Sequence, residues 1–113
     1  MVNWLGTMDD SSGAVPEQDP DLAALRRLLA IAETDTGQSR SVANFLLAWW
    51  NASACGGFDF CELWGVSDPI RADIVEVIQL IARDRHAASE YGLGQAFEQL
   101  VRRWRPHVTQ AQR

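Results

Sequence analysis

The chain has 113 residues, 47% of them hydrophobic and 22% charged, with a net charge of −5. That length makes one domain, with a sufficient but not generous core once a polar start is set aside. No apolar run approaches the ~20 residues that span a bilayer, the first ten residues lack the basic and apolar regions of a secretory signal, and the acidic balance repels a phosphate backbone, so a cytoplasmic protein and no general nucleic-acid binder are expected.

Residues 1–18 hold Asp, Ser, Gly, Pro and Glu without a period and read as a flexible tail. Trp4 and Leu5 are its notable apolar pair, suited either to packing back on the body or to docking elsewhere. Residues 19–113 form a single helical domain. Asp19-Pro20-Asp21 is a helix start, with Asp as N-cap, Pro at the first helical position and an acid in the first turn. Leu22, Leu25, Leu28, Leu29 and Ala32 then make one apolar stripe, and Thr34-Asp-Thr-Gly37 ends the helix.

A second helix runs from about Gln38 to Asn51. Val42, Phe45, Leu46 and Trp49 form its stripe, widened by Ala43, Leu47 and Trp50, so about half the circumference is apolar. Such a helix is expected at the centre of the bundle, with Trp49 in the core. Gly56-Gly57 breaks the chain. A short helical turn follows, predicted from Asp59 as N-cap, Glu62 completing a capping box, Phe58 and Leu63 as a hydrophobic staple, and Gly65 as the closing cap.

Asp68-Pro69 starts a third helix, with Ile70, Ile74, Val77, Ile78 and Ile81 on one face to about Arg85. A fourth, from about Gly92 to Arg105, carries Leu93, Phe97, Leu100, Val101 and Trp104 inward, places Glu98 four residues before Arg102 for an ion pair, and stops at Pro106. No strand-like alternation appears. The expected fold is all-α: a compact bundle of four helices plus the short helical turn.

Groups that could do chemistry are few. Cys55 and Cys61 with His86 and His107 match no four-ligand zinc spacing, so no metal or other cofactor is expected and the thiols read as free. Cys61 near a helix start could have a lowered pKa, opposed by Glu62, and with His86 it is the best candidate for a small enzyme. Thr36-Gly-Gln-Ser-Arg40 offers backbone amides to an anion, although hairpin and capping duty explains the same residues. No catalytic residue is assigned.

Two places suit a protein partner instead. Trp50 lies at the edge of its stripe, where it packs on the Phe58–Trp64 turn or, with Trp64, leaves an apolar face open. Arg102-Arg103-Trp104-Arg105 is a basic, aromatic patch in a segment, 79–113, whose charge is +3. Its alternative reading is core packing for Trp104 and dipole compensation for the arginines.

Asp35-Thr-Gly-Gln-Ser-Arg-Ser-Val-Ala-Asn-Phe-Leu-Leu-Ala-Trp-Trp-Asn51, Cys55-Gly-Gly-Phe-Asp59, Leu63-Trp-Gly65, Tyr91-Gly92, Phe97-Glu98 and Trp104-Arg-Pro106 together resemble a family of unknown function in small proteobacterial proteins. Its members are often encoded on plasmids and integrative elements. The resemblance covers about residues 34–106 and implies a bacterial accessory protein, with no catalytic residue to carry over. The expected function is a non-enzymatic protein–protein interaction module. The alternative is a regulator of nucleic-acid transactions, acting through the basic C-terminal end or through an acidic surface that imitates DNA.

Overall fold

Helix α1, Pro20–Ala32, begins at the proline the sequence marks. The computed structural model describes residues 20–111, leaving aside the side chains of 109–111, so the tail and the expected Asp19 cap lie outside it. Leu22, Leu25, Leu28, Leu29 and Ala32 are all buried, and Ala24 joins them. α2, Gly37–Cys55, starts at a capping box: Thr36 accepts from the Ser39 amide at 3.0 Å, and the Thr36 amide donates to Ser39 Oγ at 3.3 Å. Ser39 is fully buried and also shares hydroxyl contacts with Thr34 and Thr36, so capping is the role this segment performs.

α2 breaks at Asn51, which leaves helical geometry at φ −165° and ψ 86°. Its side-chain oxygen accepts from the Ala54 amide at 3.2 Å, starting a last short turn after the break. Gly56 ends that turn at φ +97°, a backbone conformation that favours glycine. A 3-10 turn, Phe60–Gly65, follows where a helical turn is expected. α3 spans Asp68–Asp84, with Ser67 rather than Asp68 at the cap. A second 3-10 turn, Ala88–Tyr91, precedes α4, Gly94–Trp104. Pro106 ends α4 and at once begins α5, Pro106–Ala111, the first-turn role a proline fills without losing a needed donor. No strand occurs among the described residues, and the fold is all-α.

The packing order differs from the expectation in one respect. α2 touches α1, α4 and both 3-10 turns, but α3 docks chiefly on α1. α1 therefore lies between α2 and α3. Two ion pairs fix this arrangement: Arg27 grips Asp73 through two bonds of 2.9 and 2.8 Å, and Arg83 reaches Asp21 at 2.8 Å. Asp73 is buried on the inner face of α3 with Ile70, Ile74, Val77 and Leu80. Ile78, expected on that face, is 36% exposed, because the inner face is rotated to include Leu80. Since α2 and α3 both lean on α1 rather than on each other, a furrow remains between them.

Candidate functional site

The segment after Gly57 is held from several sides. Asp59 accepts from the Cys61 amide at 2.9 Å. Glu62 does not complete the expected capping box; its carboxylate accepts from Asn44 Nδ2 of α2 at 3.1 Å. Gly65 takes no left-handed cap, and Val66, extended, follows the turn. From α3, the Arg71 guanidinium donates to the carbonyls of Leu63 at 2.7 Å and Val66 at 3.0 Å. Gln38 accepts from the Ser67 amide at 2.6 Å. Apart from the Asn44–Glu62 contact between side chains, these bonds hold the backbone, and none of them involves an aromatic side chain.

Phe58 packs edge-on against Phe45 of α2 at 5.4 Å, and Phe60 against Phe58 at 5.8 Å. Phe60 is nevertheless 68% exposed and Trp64 81% exposed. Beside them opens the furrow between α2 and α3, about 330 Å³, walled by Phe45, Trp49, Phe58, Phe60, Ile78 and Ile81. Burial of large aromatics is the main energetic resource of a small domain, so two left in water on a hydrogen-bonded turn stand out; Phe60 lines the furrow and Trp64 lies outside its walls.

Trp49 and Trp50 are both half-buried against the core, so Trp49 is not the fully buried residue expected. Trp50 does not pack on the turn: it stacks on Phe97 of α4 with ring centres 5.2 Å apart and planes within 9°. Its rim lines a separate cavity of about 170 Å³ with Asn51, Cys55, Glu98 and Arg102. Trp49 is half-buried, meeting Phe97 at 6.0 Å and Tyr91 at 5.9 Å, and its free edge walls the furrow. Thus Trp64, not Trp50, is the exposed indole of this region, and the two do not close over each other.

The C-terminal patch divides in two. Trp104 is half-buried and its indole N–H donates to the Ala32 carbonyl of α1 at 2.8 Å. Arg105 donates to the Cys55 carbonyl at 2.9 Å, to Asn44 Oδ1 at 2.6 Å and to the Trp104 carbonyl at 2.9 Å. It clamps the end of α4 to both arms of the bent α2. Arg102 and Arg103 remain exposed. Arg103 lies 5.5 Å from the Trp104 ring centre and reaches the Thr34 carbonyl at 3.3 Å. Arg102 faces the same cavity as Glu98, without the ion pair expected between them.

Both cysteines are free. Cys61 is exposed, and the Asp59 carboxylate beside it pushes its thiol pKa up, followed by desolvation, where the position at a helix start suggested the reverse. Burial likewise raises Cys55. His86 pairs with Glu90 at 3.0 Å and lies near the Tyr91 ring, while His107 is exposed. Cys61 and His86 share none of the cavities described above. Among the described residues no three His, Cys, Asp or Glu side chains gather as metal ligands, and no helix is long and apolar enough to cross a membrane.

A protein-family model matches residues 22–105. The chain belongs to DUF7673, a family of unknown function. The DUF7673 match starts earlier than the resemblance seen in the sequence and takes in α1 from Leu22, the helix on which both α2 and α3 lean. It ends at Arg105, so the furrow, the aromatic turn and the Arg105 clamp all lie inside the DUF7673 region, and α5 lies beyond it. No curated protein and no solved structure matches the chain.

Proposed function

We propose that this DUF7673 chain is a non-enzymatic protein-binding module whose partner docks on the aromatic turn and the furrow beside it. The observation that carries the reading is the exposure of Phe60 and Trp64 on a turn fixed by bonds from α2 and α3. A preorganised apolar surface loses little conformational entropy on association, which favours its use in binding. Arg102 and Arg103 form a second, basic contact region at the end of α4. The setting implied by the family resemblance is an accessory factor encoded on a bacterial mobile element.

The test uses the full chain as bait in native-host extract, with a Phe60→Ala/Trp64→Ala variant in parallel. A protein retained by the parent chain and weakened by about 2 kcal/mol or more in the variant, with helical circular dichroism unchanged, supports the reading. Equal capture by both baits would overturn it. The exposed Arg102 and Arg103 keep a nucleic-acid role as the second reading. Phosphate contacts would show as a steep loss of affinity with rising salt, and no binding of DNA or RNA at low salt removes it.

A further inference from the structure

We propose that a second copy of this chain docks on the outward face of α3, the two α3 helices lying antiparallel about a two-fold axis. The inference rests on the reading of the apolar surface as a partner surface and adds the identity of the partner. α3 carries apolar residues on two sides, the outer one interrupted by the exposed Gln79 and the part-exposed Arg71. Its inner face is spent on α1, yet Ala72, Val75, Ile78 and Ala82 are exposed, Val75 to 43% and Ile78 to 36%. Spacings of three and four residues align these four along one stripe, the pattern of a helix–helix seam. Ile78 also walls the furrow, so seam and furrow form one continuous surface.

Charge selects both the occupant and its direction. Asp68, at the start of the stripe, has a side chain that is 91% exposed, although it also contacts Arg71. Arg85, just past the end, is exposed and makes no ion pair among the described residues. A parallel pair would set Asp68 against Asp68 and Arg85 against Arg85. An antiparallel pair centred between Glu76 and Val77 puts Val75 opposite Ile78 of the second copy, and the same register puts Asp68 opposite Arg85. Both pairings occur twice, as an isologous interface requires. One register thus satisfies the apolar seam and its charged ends together.

The experiment is sedimentation equilibrium of the full chain over a range of concentrations. The parent chain is expected to show a monomer–dimer equilibrium. Ile78→Glu should raise its dissociation constant by on the order of thirtyfold while leaving helical circular dichroism in place; Val75→Lys serves as the second seam variant. Asp68→Arg and Arg85→Asp should each weaken the dimer, and their combination should restore it. A parent chain monomeric at every concentration overturns the proposal, as does a dimer indifferent to both seam variants. Failure of the charge swap to restore pairing overturns the antiparallel register. A monomeric parent that still captures a host protein through Phe60 and Trp64 sinks self-docking alone and leaves the function proposed above standing.

Discussion

Tyr91 is the chain's single tyrosine, and its hydroxyl donates to Asp84 at 3.1 Å. Burial, and after it the neighbouring carboxylate, push its pKa up to about 12. The folded protein therefore holds this proton more tightly than the unfolded chain, whose tyrosine titrates at about 10. The resulting contribution to stability is complete below pH ~10 and is lost as pH rises from there toward the folded value. A tyrosinate absorbance titration should show one late inflection in native protein, moving to the ordinary range in denaturant. Asp84→Asn should lower the native inflection without normalising it, because the larger cause, burial, remains. The Arg27–Asp73 pair makes a second prediction of this scale. Arg27→Ala strands a buried carboxylate, so it should lower the urea midpoint more than Arg27→Ala/Asp73→Ala, which removes both charges.

Among the elements, the bent α2 depends on a partner distant in sequence. Arg105 spans both sides of the Asn51 break through Asn44 and the Cys55 carbonyl. Arg105→Ala should cost about 2 kcal/mol in urea unfolding, and Arg105→Lys should recover little, because one ammonium cannot span both acceptors with the geometry of a planar fork. This clamp was not legible in the sequence, where Arg105 sits in a run of basic residues indistinguishable from solvated ones. The starts of α1, α2 and α3 were broadly legible, since Pro20, the capping segment at Thr36 and Pro69 act on their immediate neighbours, whereas the 3-10 turn that precedes α4 was not. The same locality explains the misreadings. Glu62 has the spacing of a capping box, but Asn44, 18 residues earlier, offers a competing donor that no local pattern reveals. Pro106 was read as a stop and is also a start. Trp49 and Trp50 are adjacent with equal apolarity, and only the approach of α4 decides which one stacks on Phe97. The aromatic density of the 49–64 segment pointed to the candidate surface. That Phe60 and Trp64 would be its exposed members depended on contacts from outside the turn, Arg71 holding the Leu63 and Val66 carbonyls and Asn44 the Glu62 carboxylate.

For the whole molecule, core and candidate surface should separate cleanly. Leu46 is fully buried, and Leu46→Ala should cost about 2–5 kcal/mol. Trp64→Ala should stay within about 0.5 kcal/mol of the parent, as urea denaturation of the two variants will report. A comparable loss in both would assign Trp64 to the core after all. The order of docking, with α1 held between α2 and α3, also sets a timetable. During synthesis α1 is made first, yet Arg27 waits for Asp73, 46 positions later, and Asp21 waits for Arg83, 62 positions later. At roughly 5–20 residues per second, the leucine stripe of α1 spends several seconds on the ribosome without its final neighbour. A nascent chain stalled before α3 emerges should accordingly be a good substrate for chaperones that grip leucine-rich segments, and one stalled after α4 a poor one.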